Sequence, residues 1–498
     1  MIEQTMVAKI GRVVARFFEL RKSLVLMLAP LAAAALLAGC ASMAPPYERP
    51  AAPVAATFAG DMAAGAASGI QASDIEWQRF FGDARLKRLI GLALQHNRDL
   101  RVAVLNIEQA RAQYQVRRAD ELPTVGIGAN ATRQPKSPVS IGDIYTAGLS
   151  VTAYELDLFG RVRSLSDAAL ALYFGTEEAR KAVQIALIST VANTYLNLLA
   201  DDELLAVTRQ TLATREESLK LTKLKFDVGA ASELDYRQAE SLLEGARVTL
   251  AQLVRQRALD ENALALLLGQ PVPGDLPEGL AVMNQQLVPD LPTGLPSDVL
   301  ARRPDVRQAE QQLIAANANI GAARAAFFPK ISLTGSAGTA STELSGLFKS
   351  GSFGWTFAPQ LLLPIFDAGR NQANLDVAVV SRDIAVAQYE KAIQTAFREV
   401  SDSLAGRATL DEQVRAQRAQ ANAESARYKL ADLRYRNGAA SYLDVLDAQR
   451  ALFTAQQAVV QVQAARVQNL VTLYKVLGGG WTDEARGQTF SDPMRPSR

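Results

Sequence analysis

Cysteine and histidine are nearly absent from this 498-residue chain, which contains one of each. A single cysteine cannot form an internal disulfide, and one cysteine with one histidine cannot supply a Cys/His zinc cluster. The net charge is also small, because 53 Lys and Arg residues are balanced by 51 Asp and Glu residues. Without a basic excess there is no electrostatic signal for a nucleic acid partner. These shortages exclude disulfide scaffolds, Cys/His zinc proteins and polyanion-binding proteins.

Sequence motifs of common enzymes are missing as well. The chain contains no GxSxG, HExxH or P-loop pattern. Residues 126–131 superficially match a dinucleotide fingerprint, but no helical pattern follows them. His96 has no second His or Cys nearby, so we expect a surface or helix-end residue and no metal site. The sequence therefore predicts a protein that is not an enzyme and holds no cofactor.

The N-terminus has the pattern of a bacterial export signal. Five basic residues precede an apolar run from Ser23 to Ala38: Lys9, Arg12, Arg16, Arg21 and Lys22. The run has ~16 residues, whereas a membrane-spanning helix needs ~20. It ends in Leu37-Ala38-Gly39-Cys40, which is similar to a lipobox, so we predict that residues 1–39 are removed and that Cys40 carries lipid. The alternatives are an uncleaved membrane anchor with an incidental cysteine, and a buried thiol.

Cleavage before Cys40 would change the charge of the chain. Residues 1–39 contain five basic and two acidic side chains, so their removal lowers the net charge from +2 to −1. The residue after the cysteine is Ala41 rather than Asp, which favours the outer membrane in the bacterial sorting rule. We therefore expect an outer membrane lipoprotein anchored through Cys40.

An internal repeat organises the rest of the chain. Matching segments recur in order at an offset of 206–209 residues, and residues 229–235 correspond to residues 438–444. Six prolines lie between Gln270 and Asp298, and prolines at this density break helices. We predict two repeats, 83–269 and 299–478, joined by 270–298. A lipidated N-terminal segment (40–82) with a Pro-rich tether precedes them, and a tail (479–498) follows.

Each repeat predicts the same order of elements. A helical pattern leads to a strand-like region, at 123–159 or 329–366, followed by a very long helix, a glycine turn and a last helix. The long helical patterns cover 162–226 and 371–435, and at 1.5 Å per residue 65 residues span ~100 Å. Such a length favours a coiled coil, a helical spanner or a tube.

The strand-like regions alternate apolar residues with small or polar ones. This alternation over ~10 positions suits a membrane β-barrel, or equally a soluble hairpin with one face on a core. Four strands per chain cannot close a barrel, and open sheet edges do not survive in lipid. A membrane barrel would therefore be shared between copies, with eight strands in a dimer or twelve in a trimer.

The order of these motifs along the chain resembles that of the TolC-like outer membrane efflux factors. The resemblance is to the lipoprotein (NodT-type) branch, which serves resistance-nodulation-division (RND) pumps. The resemblance covers the mature chain and is carried by the lipobox, the repeat and four segments: 226–229, 301–305, 364–370 and 435–438. It implies a mainly α fold with membrane β. A homotrimer would share a 12-stranded outer membrane barrel above a long α-helical barrel with an equatorial belt in the periplasm.

The resemblance also implies a function and partners. The channel would passively export drugs or other small toxic molecules, with outer membrane lipid, a periplasmic adaptor and an inner-membrane RND transporter as partners. The glycine turns would be the periplasmic tips that meet the adaptor, through Val228, Gly229, Ala230, Asn437, Gly438 and Ala439.

The resemblance further implies a gate beside the tips. Asp444 and Asp447 lie at i and i+3 on one helix face, so a trimer would place six carboxylates around the entrance. Asp235 and Tyr435 match latch residues, whereas the basic latch partner of the family falls at Ala440, and Arg436 is the candidate replacement. Ser232-x-x-Asp235 and Ser441-x-x-Asp444 equally fit capping boxes, while Asp447 has no capping role.

Two other functions fit part of the sequence. An outer membrane duct for type I protein secretion shares the architecture, although the N-terminal cysteine favours the drug-pump branch. A lipid-anchored periplasmic coiled-coil scaffold explains the helices, but it does not explain strand pairs at matching places in both repeats.

Overall fold

The computed structural model describes residues 42–58, 72–133, 142–287, 300 and 302–481. The predicted signal and Cys40 lie outside the described residues, as do parts of the inter-repeat segment and of the tail. The helices in these ranges are α1 (Trp77–Phe80), α2 (Ala84–His96), α3 (Arg98–Ala119), α4 (Arg161–Asp227), α5 (Glu233–Leu268), α6 (Pro304–Ala325), α7 (Arg370–Arg436) and α8 (Tyr442–Val476). The strands are β1 (Val125–Thr132), β2 (Ile144–Leu156), β3 (Lys330–Ser341) and β4 (Phe353–Leu362).

The predicted mainly α fold with four strands is confirmed, and the two repeats have the same order of elements. Both long helices, α4 and α7, contain 67 residues. The first helical pattern, which the sequence predicts as continuous from Asp83 to Glu121, instead forms two helices that meet at Asn97. Asn97 adopts an extended backbone, its side-chain oxygen accepts from the Leu100 amide at 2.9 Å, and its side-chain nitrogen donates to the Leu267 carbonyl at 3.0 Å. Capping of α3 by Asn97 therefore interrupts the helix.

The chain divides into two compact units, each built from both repeats. The described residues of the sheet unit lie within 42–50, 108–175 and 309–388, and those of the helical unit lie within 51–107, 176–308 and 389–481. His96 is exposed at the last residue of α2, as the sequence predicts, and residues 126–131 lie within strand β1.

The sheet unit contains one antiparallel sheet in the order β1-β2-β3-β4. Gly148 and Gly338 face each other in β2 and β3, where a Cβ on Gly148 would lie 2.5 Å from the Ala337 carbonyl oxygen. A bulge between Val151 and Tyr154 interrupts the predicted alternation of β2. It places Ala153 at a φ of 52°.

The last strand of the sheet, β4, does not pack on a hydrophobic core. Every residue of β4 is exposed, including Phe353, Trp355 and Phe357, which are 60–73% exposed. A strand with this many exposed aromatic and aliphatic side chains, at the edge of a sheet, is unfavourable in water. These observations disfavour the soluble hairpin and agree with a membrane barrel completed by other copies.

The Pro-rich segment after the predicted lipidation site lies against α6 within the sheet unit. Glu310 of α6, only 7% exposed, accepts two hydrogen bonds from Arg49, at 2.6 and 2.9 Å, and one from the Tyr47 hydroxyl at 3.0 Å. Further along α6, the Asn317 side chain donates to the Pro45 carbonyl at 2.8 Å. A buried carboxylate with three charge-assisted hydrogen bonds is a strong anchor, so this part of the tether is held in place.

In the helical unit the carboxylate of Asp83 joins three segments. One oxygen accepts from the Arg85 and Leu86 amides and caps α2. The other accepts from the Tyr195 hydroxyl at 3.2 Å, the Leu280 amide at 3.0 Å and the Gln285 side chain at 2.9 Å. Because the group is buried and fully hydrogen-bonded, it fixes the inter-repeat segment beside the start of α2 and the middle of α4.

A second acidic site in the helical unit is predicted to make stability depend on pH. Burial raises the pKa of Asp201 in α4 to about 7, and the hydrogen bond and charge of Asp260 in α5 act in the same direction. The unfolded pKa is ~3.9, so between pH ~4 and ~7 the folded chain binds the extra proton. The free energy of unfolding therefore falls as the pH rises through this interval.

We expect Asp201→Asn to raise the free energy of unfolding by about 1–2 kcal/mol at pH 8 and to change it little at pH 4, because the amide cannot ionise. Thermal unfolding in detergent at both pH values measures this difference. Asp202→Asn is the matched control, since Asp202 is exposed and bonds to Arg257 at 2.6 Å. An equal effect of Asp201→Asn at the two pH values would contradict the prediction.

Candidate functional site at the helix turns

Two turns end the long helices, and they have the same backbone structure. After α4 the Gly229 amide donates to the Phe226 carbonyl at 2.9 Å and the Ala230 amide to the Lys225 carbonyl at 2.7 Å. After α7 the Gly438 and Ala439 amides make the equivalent bonds, at 3.0 and 2.8 Å. The glycines have φ values of 75° and 70°. Both turns are Schellman motifs, in which glycine adopts the left-handed conformation at little cost.

The predicted docking residues are exposed at these turns. Val228 is 72% exposed, although an aliphatic side chain gains nothing from contact with water. A Cβ atom added to Gly229 or to Gly438 would meet no other atom within 4 Å. Asn437 holds its turn by donating from its side chain to the Leu433 carbonyl at 2.7 Å. The space around both turns is therefore open to a partner.

The two turns differ in charge although their backbones match. Lys223 lies 3.1 Å from Asp227 in α4, and the equivalent residues of α7, Asp432 and Arg436, lie 2.8 Å apart in reversed order. Arg436 thus bonds within its own helix. A cation at a helix C-terminus interacts favourably with the helix dipole and an anion does not. Arg436 therefore stabilises the end of α7, whereas Asp227 does not stabilise the end of α4.

The capping interpretation is confirmed for Asp235 and Asp444. The Ser441 hydroxyl accepts from the Asp444 amide at 3.3 Å, and the Ser441 amide donates to the Asp444 carboxylate at 3.1 Å. Ser232 and Asp235 make the same reciprocal pair at the start of α5. These bonds satisfy amide groups that the first turn of a helix leaves unpaired.

Asp447 has partners other than the helix backbone. Arg427 of α7 donates to its carboxylate at 2.6 Å, and Arg450 lies 3.7 Å from the other carboxylate oxygen. Arg427 also donates to Glu424 at 3.2 Å. The negative charge of Asp447 is thus partly compensated by two guanidinium groups.

Tyr435 forms a contact between the two repeats within the helical unit. The ammonium group of Lys225 donates to the Tyr435 hydroxyl at 3.0 Å and lies 4.5 Å from the centre of its ring. A hydrogen bond from a cation and a cation–π contact are both favourable. Lys225 therefore connects the end of α4 to the end of α7.

A small apolar cluster supports these contacts. Its buried members are Ala239, Tyr442, Val445 and Leu446, and Tyr435 packs against them. The Tyr442 hydroxyl is 2.6 Å from the hydroxyl of Ser218. All four helices of this end of the helical unit are joined by the cluster or its hydrogen bonds.

Sequence reasoning did not identify Lys225, Arg427 or Ser218. Lys225 carries a weak signal, since basic residues are favoured in the last turn of a helix. Arg427 and Ser218 carry none, because their partners lie on other helices 20 and 224 residues away.

Comparison with known proteins confirms the resemblance. The family model for outer membrane efflux proteins matches residues 89–270 and 295–479. The toluene efflux pump outer membrane protein TtgC and the antibiotic efflux pump outer membrane protein ArpC, both of Pseudomonas putida, are each 48% identical over 463 residues, which is 91% of this chain and 96% of each relative.

A solved structure agrees with these relatives. The open state of the MtrE outer membrane channel of Neisseria gonorrhoeae superposes with a TM-score of 0.81 and 44% identity, covering 89% of this chain and 99% of that one. The family match covers both repeats and the turns between their helices. This chain therefore belongs to the outer membrane efflux protein family, whose members are channel components of the outer membrane.

Proposed function

We propose that the chain is the exit duct of a tripartite pump that passively exports drugs and other small toxic molecules across the outer membrane. One observation carries this proposal. The chain combines a sheet whose edge strand β4 exposes apolar side chains with two very long helices that end in open turns. Relatives that act in toluene and antibiotic efflux support small organic molecules as the cargo.

The duct is proposed to be a homotrimer. Strands β1 and β4 are the edges of the four-stranded sheet, and lipid does not tolerate unpaired edges. Pairing β4 of one copy with β1 of the next closes twelve strands in three copies. A lipid chain on Cys40 would hold each N-terminus in the membrane, and mass spectrometry of the N-terminal peptide tests for the thioether-linked diacylglycerol.

Conductance in planar bilayers tests the proposal. The purified protein should insert and form long-lived, water-filled channels, and chemical cross-linking should trap trimers. A folded protein with no conductance would instead support the lipid-anchored scaffold. In a host without its own duct, restored drug resistance supports the pump function, whereas secretion of a type I substrate without restored resistance supports the protein-secretion duct.

The adaptor is proposed to dock at the two turns, through Val228, Gly229, Ala230, Asn437, Gly438 and Ala439. Six such tips would alternate around a trimer between the α4 type and the α7 type. Because their last-turn charges are inverted, the adaptor needs two different complementary surfaces. An inner-membrane RND transporter would complete the assembly from the other side of the adaptor.

The carboxylates near the α7–α8 turn are proposed to line the periplasmic entrance. Asp447 is the stronger candidate, because Asp444 and Asp235 cap helices. Loss of both Asp444 and Asp447, replaced by Ala, should change single-channel conductance and cation block, since six negative charges leave the entrance.

Arg427 provides a test that separates the charge of Asp447 from its packing. Arg427→Met removes the guanidinium that compensates Asp447, so the cation-to-anion permeability ratio should rise. Asp447→Asn should lower that ratio, because the uncompensated arginine remains. Reversal potentials in a salt gradient measure both variants. Equal permeability ratios in the wild type and the two variants would show that Asp447 does not line the entrance.

A further inference from the structure

A buried guanidinium lies among helices α4, α5, α7 and α8 of the helical unit, away from the turns. Arg215 of α4 is 5% exposed. One of its terminal nitrogens donates to the Leu242 carbonyl of α5 at 2.7 Å, and its centre lies 5.1 Å from the Phe453 ring of α8. Its Nε atom is buried and has no hydrogen-bond partner among the described residues.

No carboxylate of the described residues forms an ion pair with Arg215. Burial lowers the pKa of Arg215, and the positive charge of Arg450 lowers it further. Both effects disfavour the charged form, yet arginine does not lose its proton in proteins. A buried charge is costly unless it is paired and hydrogen-bonded, so an anion beside Arg215 would be stabilising.

A cavity of about 110 Å³ adjoins Arg215. This volume is well above the ~10–15 Å³ that one water molecule needs by the same measure. The polar groups of its wall include Thr211, Thr214, Tyr428 and Gln449, and none of the described residues that line it is acidic. The cavity therefore has room for a small ion and walls that do not repel an anion.

Gln449 presents a second polar group to the cavity. It is 8% exposed, its side-chain nitrogen lies 3.3 Å from the Tyr428 hydroxyl, and its side-chain oxygen is buried without a partner. A half-turn of the amide lets the Tyr428 hydroxyl donate to the carbonyl oxygen and frees the NH₂ group for an acceptor. The Nε of Arg215 and the amide of Gln449 then both lack only an acceptor.

We propose that this cavity binds a small monovalent anion of the size of chloride, held by the Arg215 guanidinium and the Gln449 amide. The ion neutralises the buried charge at the point where α4, α5, α7 and α8 meet. It thereby stabilises the helical unit independently of adaptor docking and of gating.

Thermal unfolding tests the proposal with halide salts. The purified protein in detergent should unfold at a higher Tm in sodium chloride or bromide than in sodium gluconate of equal ionic strength, and the difference should saturate with halide concentration. Arg215→Met should abolish the difference. Arg209→Met, which removes an exposed arginine of the same helix, should retain it. A wild-type Tm that is the same in all three salts overturns the proposal.

Crystals grown in sodium bromide provide a measurement that needs no variant. An anomalous difference peak within hydrogen-bonding distance of Arg215 Nε is expected. Density for water alone beside Arg215, without an anomalous peak, overturns the proposal even where Arg215→Met does not fold.

Discussion

Replacing Gly438 with tryptophan is expected to reduce drug resistance to the level of a strain that lacks the channel. The indole would project from an exposed turn into the space that we assign to the adaptor, where an added Cβ meets no atom of this chain. Minimum inhibitory concentrations measure the loss. The amount of trimer in outer membrane fractions should stay near the wild-type level, because the turn is exposed and an added Cβ has no other described atom within 4 Å.

Gly438→Ala is the matched control for backbone strain. Both substitutions place a non-glycine residue at a φ of 70°, which costs about 1 kcal/mol. Only tryptophan adds bulk. We therefore expect Gly438→Ala to keep most of the resistance, and cross-linking to the adaptor to be lost in the tryptophan variant alone. Wild-type resistance with Gly438→Trp would show that the adaptor does not dock at this turn.

Combining Lys225→Met with Tyr435→Phe is expected to raise the single-channel conductance several-fold. The pair removes a charged hydrogen bond and a cation–π contact between the ends of α4 and α7, together worth about 1–2 kcal/mol per chain because both side chains are half-exposed. A trimer contains this contact three times, so a closed entrance would lose three such links. Cells with the double variant should also become sensitive to antibiotics that are too large for ordinary porins.

Lys223→Met is the control for this prediction. It removes the same charge two residues earlier. Among the described residues, Lys223 pairs with exposed Asp227 of its own helix and lies 5.8 Å from the centre of the Tyr236 ring of α5, and both of these partners belong to the first repeat. Its conductance should therefore equal that of the wild type. If the double variant and the control both conduct like the wild type, the Lys225–Tyr435 contact does not restrain the entrance.

The sequence predicted the backbone structure of the turns in more detail than the contacts of the gate residues. A glycine after a long helical pattern, followed by Ser-x-x-Asp, contains the complete information for a Schellman motif and a capping box. The structure accordingly shows both motifs at Gly229 and at Gly438. The partner of Arg436, the candidate replacement in the latch, could not be predicted from the sequence. Several acidic residues lie nearby, and the structure shows that Arg436 bonds to Asp432.

Sequence by itself determined the elements of this protein, because periodicity, proline and helix capping act over a few residues. The repeat, the lengths of α4 and α7 and the four strands follow from the sequence pattern, whereas the break between α2 and α3 at Asn97 was not predicted. Only the tertiary structure decided which polar side chains contact each other across helices. Lys225 and Tyr435 are 210 residues apart in sequence, and Arg427 reaches Asp447 only because α7 and α8 are adjacent. Burial likewise depends on packing, which places Arg215 among four helices with no ion-pair partner in the described part of the chain.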